Sequence, residues 1–360
     1  MRAGWSWKGD KLIHQFERGL TSSQNQMGEM RMKLTRGLIF TAGIAALAAT
    51  PTYAYEAAPA QTKAGAFIGA SAGVPPPGIY MFNQVFTLQG NLAGPATKTV
   101  GNKVGVQAFV DAQGFLFVPG WSFLGATYDA VLVQPFVSQS LGSPVNSQQS
   151  GMFNTYVVPV ELSWNNIGNS GFGVKTGLGI YMPDGTKTGI AGTGNVGSPY
   201  WTFQPEIIVS YLADGWNLSA AVYQEFNTAS SVTGYTTGNI LHADFTATKT
   251  IGKWTFGPVA YYQGQVSKDK SSAFYGNAIL NANTYDIWAV GGLVGYNFGV
   301  ASLSVWATDE VSAKASGATS GGAVDMSAVP KGFTVFATLS YRLWAPDEPA
   351  ATPTRPVIHK

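Results

Sequence analysis

Between residues 79 and 344 the connections between strand-like segments alternate in length, and this parity constrains the fold more than any single motif. Twelve segments of about 10–14 residues have strand character, bounded by turn-rich pieces. They are 79–89, 104–119, 125–138, 153–165, 172–182, 200–212, 216–227, 239–250, 253–265, 285–297, 300–310 and 332–344. The even-to-odd joins are short, around 120–124, 166–171, 213–215, 251–252 and 298–299. The odd-to-even joins are long and polar: 90–103, 139–152, 183–199, 228–238, 266–284 and 311–331. A soluble sandwich has no reason to sort its loops this way. An outer-membrane barrel does, with tight periplasmic turns, longer outer loops and an even strand count. A tilted strand crosses a bilayer in about 9–11 residues, which these segments supply.

Side-chain alternation predicts which face meets lipid. In 200–212, Trp201, Phe203, Pro205, Ile207, Val209 and Tyr211 share one face, opposite Thr202, Gln204, Glu206 and Ser210. In 239–250, Leu241, Ala243, Phe245 and Ala247 oppose His242, Asp244, Thr246 and Thr248. Segments 253–265 and 332–344 repeat the pattern, whereas 125–138 leaves its facing open. Period two with one apolar face fits lipid outside and a polar lumen. Aromatics near segment ends (Tyr156, Trp164, Trp201, Tyr211, Trp254, Tyr262, Tyr296 and Trp344) are expected to form interfacial girdles.

Composition agrees. Charged residues make up 11% of the 360, against 45% hydrophobic and 13% aromatic. An average soluble domain carries about 25% charge. The 44 glycines follow no three-residue period, and there is no cysteine, which excludes a thiol nucleophile and a zinc–thiolate site. Outside 37–50 no long uncharged apolar run could form a spanning helix.

The N-terminal region reads as an address. Arg31, Lys33 and Arg36 precede an apolar stretch over 37–49 that ends in Thr52-Tyr53-Ala54. This is the pattern of a secretory signal peptide over 30–54, cleaved after Ala54, with Ala57 and Ala58 as further sites. Residues 1–29 then form an upstream extension. Residues 1–54 carry seven of the 21 basic and three of the 19 acidic residues, so 14 and 16 remain and the net charge turns from +2 to −2. No basic patch is left for nucleic acid. Residues 55–78 are small and end in Pro75-Pro76-Pro77, a coil expected to enter or cover the periplasmic mouth, or else an exposed leader. The Pro-rich stretch 345–360 is expected to be a disordered tail.

Several motifs resemble a known family. Gly73-Val-Pro-Pro-Pro-Gly-Ile-Tyr80, Pro159-Val-Glu-Leu-Ser-Trp164, Met182-Pro-Asp-Gly185, Tyr200-Trp-Thr-Phe-Gln-Pro205 and Tyr261-Tyr-Gln-Gly-Gln265 occur in an order similar to that of the outer-membrane proteins grouped under a meta-pathway of phenol degradation. The similarity runs over about 66–344. The chain departs from the family at Asp184, where Thr is usual, and in its 16 residues beyond Trp344. The resemblance implies an outer-membrane channel of a Gram-negative bacterium, linked to aromatic catabolism and without a defined enzymatic activity. It carries over no binding residue.

The chemistry-bearing residues are candidate lumen-lining groups. Glu161, Lys175, Glu206, Glu225, His242, Asp244 and Arg342 fall on predicted inward faces, and Tyr181, Tyr223, Tyr261, Gln263 and Phe336 add aromatic and amide groups. Charge is costly on the lipid face and acceptable in the lumen. The turn near residue 168 places Glu161 close to Lys175, predicting a cross-strand ion pair. His242 and Asp244 share a face about 7 Å apart along one strand, a poor geometry for a catalytic hydrogen bond. No catalytic, cofactor or metal site is expected. Gly192-Thr-Gly-Asn-Val-Gly197 matches a dinucleotide fingerprint by letter but precedes a strand instead of following one.

The reading is an all-β, single antiparallel transmembrane barrel of about 12 strands over 79–344. It is expected to pass small hydrophobic or aromatic compounds passively. Its partners would be outer-membrane lipids, those solutes and the barrel-assembly machinery during biogenesis. A structural or partner-binding barrel with a closed lumen is the alternative; a lipid-modifying enzyme centred on His242 is a more distant one.

Overall fold

The computed structural model describes residues 60–101, 103–187, 196–276, 284–317, 325 and 327–346. The signal-peptide segment 30–54, the extension 1–29, most of the tail and residues 192–195 of the dinucleotide-like stretch lie outside the described residues.

Twelve strands close into a barrel. They are β1 (Gly78–Ala93), β2 (Gly105–Val118), β3 (Ala126–Leu141), β4 (Tyr156–Trp164), β5 (Phe172–Tyr181), β6 (Thr202–Tyr211), β7 (Trp216–Asn227), β8 (Ile240–Ile251), β9 (Trp254–Gln265), β10 (Thr284–Asn297), β11 (Ala301–Ser316) and β12 (Val329–Trp344). Each pairs antiparallel with its sequence neighbours, and β1 pairs with β12 from Tyr80↔Arg342 to Ala93↔Val329. Closure leaves no edge whose backbone groups would sit unpaired in hydrocarbon.

The short and long joins fall at opposite ends, as their parity predicts. At the long-loop end several expected loops are partly strand. β1, β3, β11 and β12 each run 16 residues, and Ser147–Met152 adds a short strand against β3. Pairing supplies partners for backbone groups that a loop would otherwise have to satisfy with water, so these strands extend past the apolar band.

The inside–outside alternation is regular in β6, where Thr202, Gln204, Glu206, Ile208 and Ser210 are buried and Phe203, Pro205, Ile207 and Val209 are exposed. Outward Trp121, Trp216, Trp254 and Trp344 gather toward the short-turn end, and Trp201, Phe226 and Trp288 toward the other. Ile207 lies midway along β6 on the outer face. Ile207→Arg is expected to cost about 2–4 kcal/mol of folding free energy in lipid vesicles, the depth-dependent penalty for a cation at mid-bilayer. A loss under about 1 kcal/mol in urea titration would show that this face does not meet hydrocarbon.

One expected girdle residue faces inward instead. Tyr156 is buried in the lumen. In β4, Tyr156 and Val158 are buried, Pro159 and Val160 are both exposed, and Glu161 and Ser163 are buried. The register shifts here against both neighbours. Strict alternation counted back from Glu161 puts Tyr156 outside; one bulged residue reverses the parity. Proline sits at the bulge because it has no N–H to withdraw from the ladder.

Candidate functional site

The lumen is occupied by the chain's own residues 60–77. This strap begins at the long-loop end and reaches the short-turn end, where it becomes β1. Gln61 donates its N–H to Glu225 Oε2 at 3.0 Å, and its side-chain amide reaches Ser198 and Tyr200 of the long β5–β6 connection. Thr62 donates its N–H to the other Glu225 oxygen at 3.0 Å, and its hydroxyl bonds Tyr181 and Gln204. Gln263 donates to the Thr62 carbonyl at 3.0 Å. Halfway down, Asp244 accepts the N–H groups of Gly65 (2.9 Å) and Phe67 (3.0 Å), while Trp306 Nε1 donates to the Gly65 carbonyl. Ala72 N–H donates to Ser210 at the short-turn end.

The strap is held by satisfying a wall that has too many acceptors. Lys63 Nζ lies 2.5 Å from Glu310 Oε1 and donates to Tyr261 at 2.8 Å. Tyr261 donates to the same Glu310 oxygen at 2.6 Å. Three wall carboxylates, on Glu225, Asp244 and Glu310, thus each receive at least one donor from the strap. Hydrogen bonds to ionised groups are about twice as strong as neutral ones, which gives a short coil a firm hold. Its apolar side chains join the same packing: Ala64 and Ile68 lie against Val259, Ile287, Leu293 and Phe336.

Most of the residues picked from alternation are buried in this lumen: Glu161, Lys175, Tyr181, Glu206, Tyr223, Glu225, His242, Asp244, Tyr261 and Gln263. Arg342 is not among them. It is exposed at the short-turn rim, where it bonds the Pro77 carbonyl and lies over the Tyr80 ring. It shares the inward parity of β12, but the strand end has left the enclosed part of the barrel.

Toward the short-turn end Lys175 meets two carboxylates, Asp129 Oδ2 at 3.1 Å and Glu161 Oε2 at 3.5 Å. The expected Glu161–Lys175 pair is diagonal, since Ser163 faces Lys175 and Glu161 faces Gly177. Asp129, the nearer partner, belongs to the strand whose facing alternation left open. Glu206 adds a third carboxylate, and Gly177 makes room for it: a Cβ there would stand 2.9 Å from both Glu161 Cγ and Glu206 Oε1.

His242 and Asp244 do not pair. His242 Nε2 contacts Gln204 at 3.2 Å, its ring stacks on Tyr223 at 4.6 Å, and Asp244 is committed to the strap. Among the described residues no cluster of His, Cys, Asp or Glu has metal-binding geometry.

Lys63, Phe67, Asp129 and Glu310 are the participants that sequence reasoning missed. Lys63 carried a signal, being the one charged residue between Glu56 and Lys98. Phe67 carried none, because an aromatic in a coil has no periodicity to place it.

The family described as "Putative MetA-pathway of phenol degradation" matches residues 91–325. An outer membrane channel from Pseudomonas putida F1 has a similar fold, with TM-score 0.61 and 11% identity over 78% of this chain and 99% of that one. The translocator domain of the autotransporter NalP from Neisseria meningitidis gives TM-score 0.43 and 11% identity, covering 74% and 89%. The β domain of the Bordetella autotransporter Brka gives 0.41 and 15%, covering 74% and 99%. No curated protein matches the chain by sequence.

Proposed function

Because the chain belongs to this phenol-degradation family, we propose that it is an outer-membrane channel through which small aromatic or hydrophobic compounds enter passively, in support of aromatic catabolism. The observation that carries the reading is a closed cylinder, apolar outside, lined along its length by aromatic rings and polar groups such as Tyr181, Tyr223, Tyr261 and Gln263. Rings offer an apolar track, and the polar groups between them accept hydroxyls. Solute moves down its gradient, with no cofactor or nucleotide in the mechanism. The leader ending near Ala54 delivers the chain to the periplasm for insertion.

The strap makes the resting state closed. Its bonds to Glu225, Asp244 and Glu310 fill the lumen's middle, so transport requires it to shift. This occupancy also favours a second reading, a permanently closed barrel whose long loops bind a partner.

Liposomes containing the protein separate the two. Transport predicts entry of phenol-type solutes above protein-free liposomes and impaired growth on aromatic carbon sources without the protein. Absence of both flux and conductance, even with the strap removed, would end the transport reading.

A further inference from the structure

Phe67 of the strap is the only one of its side chains gripped by several rings of the wall among the described residues. Its centroid lies 4.8 Å from Tyr223, 6.1 Å from Tyr156 and 6.4 Å from His242. Tyr223 and His242 stack with planes 9° apart, and Tyr156 lies 4.4 Å from Tyr181. Phe67 also packs against both small apolar clusters of this half of the lumen, one around Val158 and one around Ile208. Pairs at 4.5–7 Å with tilted planes are the favoured geometry for aromatic rings.

The cage is more polar than its occupant. Tyr156 hydroxyl and His242 Nδ1 are buried and have no hydrogen-bond partner among the described residues, and Glu206, whose side chain also meets that of Glu161, leaves its Oε1 without a donor there. Glu206 faces Tyr223 in register. Asp244, beside them, takes backbone N–H groups on either side of Ala66. Buried polar atoms are nearly always paired, so orphans grouped around one ring call for an explanation. Phe67 supplies the ring but not the hydroxyl.

We propose that the Tyr156–Tyr223–His242 cage is a binding site for a single-ring phenolic solute, and that Phe67 occupies it as an internal stand-in. The solute's ring takes the place of Phe67, and its hydroxyl pairs with the polar atoms that Phe67 leaves unmet. Strap and solute then compete for one site, so arrival of solute favours the displaced strap. This rests on the reading that aromatic solutes use the lumen, and it narrows their class to those bearing both a ring and a hydroxyl.

The test measures binding without flux. Full-length protein in detergent is titrated calorimetrically with phenol, toluene and cyclohexanol. Phe67→Ala is expected to bind phenol at least tenfold more tightly than the unaltered protein. Toluene and cyclohexanol should each bind the variant at least fivefold more weakly than phenol. Adding Tyr223→Leu to Phe67→Ala should abolish the gain. Tyr156→Phe, which changes no ring volume, should reduce the preference for phenol over toluene. No gain in Phe67→Ala, a gain that survives Tyr223→Leu, or equal binding of toluene and phenol overturns the proposal. A barrel that binds phenol in this pattern yet passes nothing fails only as a transporter. One that passes phenol with no gain in Phe67→Ala fails only here.

Discussion

Gly65→Val is expected to open the barrel. Gly65 has φ +88°, and a Cβ added there would meet Tyr261 Cδ1 at 2.7 Å and Cε1 at 2.9 Å. Left-handed backbone costs a non-glycine residue about 1–2 kcal/mol, more when β-branched. Tyr261 cannot yield cheaply, since it is fully buried and its hydroxyl is tied to Glu310. The strand ladders do not depend on Gly65, so the strain falls on the strap, which loses its bonds to Asp244 and Trp306. Single-channel conductance in a planar bilayer should rise on the order of tenfold, because the wall of a 12-stranded barrel encloses a lumen wider than one coil. Deleting residues 60–74 should give the same conductance. Gly252→Asn is the control: φ there is +61°, no atom lies within 4 Å of an added Cβ, and Asn tolerates this region. A deletion variant as closed as the unaltered protein would mean that the wall, not the strap, obstructs the lumen.

Lys175→Met should be the most destabilising single change in the lumen wall. It leaves Asp129 and Glu161, both buried, with no cation paired to them among the described residues. Breaking a buried pair by removing one partner costs about 3–5 kcal/mol, because the remaining charge stays desolvated. Urea unfolding in detergent should register this as a lower midpoint with unchanged slope. Adding Asp129→Asn should restore part of the loss, with a coupling of about 1–3 kcal/mol. Strictly additive effects would show that the two side chains do not interact. Glu161→Gln alone should cost less than Asp129→Asn alone, given the longer contact of 3.5 Å against 3.1 Å.

The residues that fooled local reasoning did so for definable reasons. Tyr156 was misplaced by one bulged position at Pro159–Val160. Asp129 sat in a strand whose inward face carries Val131 and Val133 while its outer face carries Leu132 and Phe136, so alternation gave no contrast. Glu310 closes the segment read as 300–310, where strand and loop could not be told apart. Each turns on a contact or register with a distant partner.

Twelve strands, the inward and outward faces of most of them and the two kinds of connection were legible in the residues alone. Alternation has a period of two and a turn spans a few residues, so both are written within short windows of chain. The path of residues 60–77 was not legible. Its bonds to the wall join positions as far as 265 residues apart and follow no repeat, because a coil inside a cylinder is positioned by whichever wall groups need a partner. Only closure of the sheet brings Glu225, Asp244 and Glu310 around one axis, and that convergence decided what fills the lumen.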